Sequence, residues 1–282
     1  MANEERLDID ALLAERQATL KAFRDPRRSP YATVGRHDLP EGGSLLFGSD
    51  PGSDVQLDGL LPRHARLRLE GGEFVLEAVD PGAALDGGAR ELRLRPGARV
   101  SLGRFTVRLS HQNFPAALVL DPSSGLVQSG PPPRWFEPDP AFRVRARLIR
   151  EAAPREELIV STRGNRRRAL RVGALEAEVL GQPIRLAALR LLEPGVDEAA
   201  VSIFFRDQTT GIDSYPVGRY VEPRPVEGEA GAFILDFNRA YNPTCAFSEH
   251  YNCPIPPREN VLRIAIRAGE RSPTDADVAS TP

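Results

Sequence analysis

Cysteine, lysine and long apolar runs are what this sequence has least of. Two cysteines in 282 residues cannot form a disulfide framework, so stability has to come from buried cores. Cys245 and Cys253 nevertheless stand eight residues apart in one loop, close enough to bridge if the loop turns back. With His250 they form C-x4-H-x2-C, three ligand types without the fourth that structural zinc sites use, so no metal is expected. Lys21 is the only lysine and every other basic side chain is arginine. That usage by itself does not indicate phosphate recognition.

No window approaches the roughly 20 apolar residues of a membrane-spanning helix, and the opening MANEERLDIDALLAERQATL lacks a basic start followed by an apolar core. The net charge is -2 and the pI about 6.2, which provides no global attraction for nucleic acid or an anionic membrane. The expectation is a soluble, cytoplasmic protein with neither as a partner. There is no P-loop, dinucleotide fingerprint or Ser-His-Asp signature.

What is present is β pattern. After a helical stretch from Asp8 to Phe23, with Ile9, Leu12, Leu13, Leu20 and Phe23 at helical spacing, short alternating runs occupy Leu39 to Ser110. Period-two alternation in ARLRL and FVLEAV around the tight turn EGGE predicts a hairpin. Many short strands without helices predict a small β-sandwich. The stretch FPAALVLDPSSGLVQSGPPPRWFEPDP reads as an extended linker. Beyond it, FRVRARLIR, LIVSTRG, AAVSIFFRD, RYVEP, AFILDFN and VLRIAIRAGE predict about seven to nine strands in one antiparallel sheet, curled or closed because free edges are a liability. Arg166–Arg168 is expected to be a solvated charged face at a turn. The fold class is thus mainly β: an N-terminal helix (1–36) on the C-terminal domain, a sandwich (37–112), a Pro/Gly-rich linker (113–140) and an antiparallel β-barrel-like domain (141–282).

The run from FGSDPGSDVQL through RHARLRL to LRPGARVSLG resembles a forkhead-associated (FHA) domain, a sandwich whose usual role is to bind phosphothreonine peptides. The resemblance covers about 70 residues. It departs at the phosphate contacts: Ser49 stands where the family has an arginine, Pro62 where it has a serine, and Pro81 near its asparagine turn. Without those donors the sandwich is expected to contact a protein partner rather than read phosphopeptides. An adaptor reading would require Arg63 or Arg66 to replace the missing arginine.

Three later blocks, DQTTGIDSYPVGRY, DFNRAYNPTCAF and CPIPPRENVLRIAIRAGE, resemble a family of uncharacterised bacterial and archaeal proteins, domain of unknown function 1684. The opening helix and WFEPDPAFRVRARL are similar to it too, so the sandwich reads as an insertion. The resemblance implies no cofactor or reaction. The residues themselves support two readings. In one, Asp207, Asp236 and Arg219 form a buried ion pair and Asn238 and Asn242 cap turns. In the other, Asp207, Tyr215, Arg219, Asp236, Asn238, Tyr241, Asn242 and Cys245 converge on a pocket for a small anionic ligand that Arg219 grips. The alternative activity is hydrolysis of a small anionic substrate with Asp207 or Asp236 as general base. Cys245 as a nucleophile would need His250 as its base.

Overall fold

Asp8 starts the first element by accepting the Ala11 backbone N–H at 2.9 Å, an N-cap that satisfies one of the donors a helix start leaves free. Helix α1 (Ile9–Arg24) follows in the computed structural model, which describes residues 7–110, 112 and 114–274. Residues 1–6 and 275–282, at the ends of the first and last expected segments, lie outside the described residues. The chain forms two compact units: Phe23–Gly130 with Glu193–Gly195, and Met1–Ala22 with Pro131–Leu192 and Val196–Pro282. Leu12 is the buried residue of α1. Within the second unit, Arg16 lies over the Trp135 ring at 5.5 Å and Glu15 accepts from Arg239 at 2.8 Å.

The first unit holds nine strands: β1 (Thr33–Asp38), β2 (Ser44–Gly48), β3 (Val55–Gln56), β4 (Ala65–Glu70), β5 (Glu73–Ala78), β6 (Glu91–Leu94), β7 (Arg99–Leu102), β8 (Phe105–Leu109) and β9 (Ala116–Leu120). They make two sheets, β1-β9-β8-β7 and β3-β2-β4-β5-β6, antiparallel apart from the β2–β3 pair. Alternate residues face a shared core of Phe47, Leu67, Phe74, Leu76, Leu102 and Leu109. The EGGE turn joins β4 to β5 with Gly71 and Gly72 at φ 57° and 86°, the positive values a tight hairpin needs. Strand β9 lies inside the segment read as a linker. Its five residues are all buried, the pattern of a strand covered on both faces, and it pairs with β1 through Gly35–Val119 and Arg36–Leu118. The Pro-rich tract 131–133 begins only after this unit ends at Gly130.

The second unit is built on β10 (Arg143–Val160), β11 (Arg166–Val179), β12 (Gln182–Leu191), β13 (Ile203–Phe205), β14 (Arg219–Val221), β15 (Arg224–Pro225) and β16 (Ala232–Asp236). Five strands form the antiparallel sheet β12-β11-β10-β16-β15, and β13-β14 is a separate pair. The domain is mainly β, as the patterning predicts, but its sheet is open rather than closed. Its edges are handled in other ways. Strand β15 is two residues long and ends in Pro225. On β12, Leu189 bridges Ser202, and the Asn260 side chain accepts the Ala187 N–H at 2.6 Å and donates to the Ala187 carbonyl at 3.1 Å. Asn260 also donates to the Phe204 carbonyl at 2.8 Å, so one amide stands in for an edge partner and ties β12 to β13.

Two expectations fail here for local reasons. Arg167 is not solvated: it is 4% exposed because it donates to the Asn252 carbonyl at 3.2 Å, while its neighbour Arg168 pairs with Glu156 on the surface. VLRIAIRAGE buries Leu262, Ile264, Ile266 and Ala268 in strand-like alternation but joins no sheet. Its backbone bonds go instead to Arg206, Gln208, Phe136 and Ala240 and to one arginine side chain, described below.

Removing the Asn260 amide leaves the Ala187 N–H and two buried carbonyls without partners, each costing about 1–3 kcal/mol. Asn260→Ala should therefore lower unfolding stability by at least about 2 kcal/mol in urea titration, with faster amide exchange at Ala187.

Candidate functional site

The Arg219 guanidinium, at 1% exposure, is the centre of the motif region. One terminal nitrogen donates to Asp207 Oδ2 at 2.6 Å and to the Ile266 carbonyl at 2.7 Å. The other donates to the carbonyls of Ala268 and Glu270, the latter at 3.1 Å. Asp207 is held from its other oxygen by the Thr209 N–H at 2.7 Å and the Thr209 hydroxyl. The buried ion pair lies within the first motif block, and carbonyls of the third block complete its shell. The cationic donors face inward, so Arg219 has no arm for an anionic ligand, and its expected role as a ligand grip is withdrawn.

Asp236 does not join that pair. At the end of β16 it accepts from Arg143 at 2.8 Å, from Arg239 and from the Asn238 N–H at 3.1 Å. Asn238 is fully buried; its oxygen accepts the Asp139 N–H at 2.9 Å and its nitrogen donates to the Asp139 carbonyl at 2.9 Å. Asn242 donates its side-chain NH2 to the Arg271 carbonyl at 2.7 Å. The Tyr241 hydroxyl donates to Glu222. These are the bonds of a structural clasp, with Asp207 and Asp236 fully engaged. A general-base role for either carboxylate has no geometric support.

Gly218 and Gly269 complete the clasp. Gly269 sits at φ 75°, and a Cβ there would lie 2.5 Å from the Ala240 carbonyl oxygen and 2.6 Å from that of Phe237. Gly218, at φ 115°, would place a Cβ 2.5 Å from the Phe205 carbonyl oxygen. Only glycine permits both the backbone conformation and the approach.

Of the eight expected residues, Tyr215 and Cys245 line one cleft together. It has a volume of about 460 Å³ and is lined by Thr162, Arg163, Tyr215, Cys245, Glu249 and Tyr251. The Tyr215 hydroxyl donates to the Cys245 carbonyl at 3.1 Å, and burial pushes its pKa upward. The turn after β10 supplies the far wall and is pinned to the loop: Thr162 N–H donates to the Cys253 carbonyl at 2.9 Å, Cys253 N–H to the Thr162 hydroxyl at 3.1 Å, and Arg163 N–H to Asn252 Oδ1 at 3.2 Å. Nothing in the sequence pairs STRG with the distant loop, so Thr162, Arg163, Glu249 and Tyr251 were not foreseen. His250 is not among the lining residues, which removes the expected base for Cys245. Among the described residues no cluster of three or more His, Cys, Asp or Glu is placed to hold a metal.

Glu270 was also missed, although it ends the AGE motif. It is 6% exposed and accepts the Asn242 N–H at 2.8 Å. Burial raises its pKa from the ordinary 4.5 to about 7, opposed by that bond and by Arg219. A carboxyl with a raised folded pKa binds its proton more tightly folded than unfolded, so its contribution is complete below pH 4.5 and is lost as pH rises through about 7. The loss amounts to about 3 kcal/mol. Glu270→Gln should therefore remove a fall in stability between pH 4.5 and 7 that the parent shows, measured as denaturation midpoint against pH.

Residues 133–271 match the family model described as "Protein of unknown function (DUF1684)". The solution NMR structure of an uncharacterised protein from Haloarcula marismortui is 35% identical over 51% of this chain and 77% of that one, with a TM-score of 0.42. An FHA domain studied for phosphothreonine-dependent interactions is 18% identical over 30% of this chain and 93% of that one, TM-score 0.21. The FhaA FHA domain, crystallised with the intracellular domain of Rv3910, is 18% identical over 29% and 97%, TM-score 0.21. No curated protein matches the chain. The part of the chain that carries the clasp and the cleft belongs to the DUF1684 family of proteins of unknown function.

Proposed function

We propose that the second unit is a binding domain that takes a small polar ligand in the cleft beside Tyr215 and Cys245. One observation carries this reading: two motif blocks meet at that cleft through the Tyr215–Cys245 bond, whereas Asp207, Arg219, Asp236 and Asn238 are spent on internal hydrogen bonds. The lining offers one arginine, one carboxylate, two phenols and a threonine hydroxyl, a mixture suited to a ligand with several hydrogen-bonding groups. A small anion would rely on Arg163. Hydrolysis is not favoured, because Asp207 and Asp236 are committed to Arg219 and to Arg143 and Arg239.

For the sandwich, the reading is a protein-contact module of FHA type. In support, Arg90 is occupied in pinning the loop through the carbonyls of Ala78, Asp80 and Ala83, and His64 braces it through backbone bonds to Phe47 and Val79. The position of the family's phosphate-binding arginine is Ser49, whose N–H is taken by the Leu61 carbonyl. A phosphothreonine peptide array should accordingly give no binding. Binding abolished by Arg63→Ala would reverse this part.

A thermal-shift screen of carboxylates, phosphates, amino acids, sugars and nucleotides tests the cleft. A ligand at a hundredfold over its Kd stabilises by about 2.7 kcal/mol, and the shift should shrink at least tenfold in affinity in Arg163→Gln and in Tyr251→Ala. A hit insensitive to both substitutions, or no hit at all, rejects the site.

A further inference from the structure

The same cleft exposes chemistry that ligand binding does not use. Cys245 sits in a short 3-10 turn (Thr244–Ala246), is half-buried and lines the cleft. Cys253 is 7% exposed and lies against it: the Cys245 N–H donates to Cys253 Sγ at 3.3 Å. Both are free thiols. Thr162 and Tyr215, from two other chain segments, line the same cleft as Cys245, and the Thr162 hydroxyl donates to the Tyr251 carbonyl at 3.4 Å. Thr162 is held there by the Cys253 N–H at 3.1 Å. The Tyr215 hydroxyl donates to the Cys245 carbonyl at 3.1 Å.

We propose that Cys245 and Cys253 form a hydroperoxide-reactive dithiol, with Cys245 as the attacking thiolate and Cys253 as the resolving thiol.

Hydrogen bonds to the charged form are what make a cysteine reactive when no cation is adjacent. The bond from Cys253, followed by those from Tyr215 and Thr162, lowers the Cys245 pKa against the opposing effect of burial; the same mutual bond and burial raise that of Cys253. The two sulfurs are thereby differentiated: the accessible one gives up its proton more readily than the enclosed one. In the first step Cys245 sulfur attacks the terminal oxygen of a hydroperoxide ROOH. An S–O bond forms, the O–O bond breaks, and ROH leaves after taking up a proton, leaving a sulfenic acid. In the second step Cys253 sulfur attacks Cys245 Sγ; the S–S bond forms, the S–O bond breaks, and the hydroxyl departs as water with the Cys253 proton. One hydroperoxide is reduced by two electrons and the two thiols are oxidised to one disulfide. An external dithiol reverses the product by two thiol–disulfide exchanges.

The proposal needs only the cleft and its two sulfurs, not an organic ligand. A failed ligand screen leaves it intact, and a failed thiol titration leaves the ligand reading intact. The test uses the fully reduced chain, treated with increasing hydrogen peroxide and followed by thiol counting and intact mass. The expected result is loss of both thiols for each peroxide consumed, with the mass of a monomer lacking two hydrogens, reversed by dithiothreitol. Cys253→Ser should stop at a Cys245 sulfenic acid that dimedone traps, and Cys245→Ser should leave Cys253 reduced. Alkylation of Cys245 at pH 7 should be at least about tenfold faster than that of free cysteine, of which only a few per cent is thiolate, and slower in Thr162→Val. Persistence of both thiols in excess peroxide, stepwise oxygen addition without a disulfide, or disulfide-linked dimers would each overturn the proposal.

Discussion

The guanidinium of Arg219 carries a full charge into the interior of the second unit, and the segments around it are arranged to make that tolerable. Taking such an ion out of water costs several kcal/mol even after relaxation. The cost is offset only when Asp207 and the carbonyls of Ile266, Ala268 and Glu270 are all in place. Those groups come from a tight turn after β13 and from the C-terminal segment, so neither can settle without the other. The same requirement explains why Leu262 to Ala268 buries alternate side chains without joining a sheet. An arginine fork takes the carbonyls of Ile266, Ala268 and Glu270 in place of a neighbouring strand. It also places strict demands on Gly218 and Gly269, where any side chain would strike backbone oxygens.

How much of this the sequence reveals depends on the range of the interaction. Period-two alternation in ARLRL and FVLEAV is local, and β4 and β5 appear where it predicts them. Asp8, followed by an apolar helical pattern, marks the start of α1 to within a residue. Strand β9 was hidden because AALVL, with no polar alternation, lies beside prolines and serines that signal a linker. The open sheet was also hidden, since its outer edge at β12 is closed by the Asn260 side chain rather than by a strand.

For the site, residue types were legible and partners were not. Asp207 and Arg219 read equally well as a clasp or a ligand grip, and only burial decides between them. Asp236 is paired with Arg239 three residues on and with Arg143, 93 residues away, which no spacing rule reaches. Thr162 and Arg163 arrive at the cleft because a turn after β10 is pinned to the loop at Asn252 and Cys253. The clasp therefore acts as the frame, holding the DFNRAYNPTC segment so that Tyr215 and Cys245 meet at its outer side. The Asp207–Arg219 pair is buried, while Tyr215 and Cys245 line the cleft.

The most direct test is residue-resolved hydrogen exchange of Arg219→Met, a substitution that keeps much of the volume and deletes the donors. If Arg219 is the clasp, protection should fall together at the amides of 207–214, 240–242 and 268–272, with a loss of at least about 3 kcal/mol on removal of one partner of a buried ion pair. Wild-type protection at all three segments would contradict the account, because it would mean that the buried guanidinium serves something other than holding these segments together.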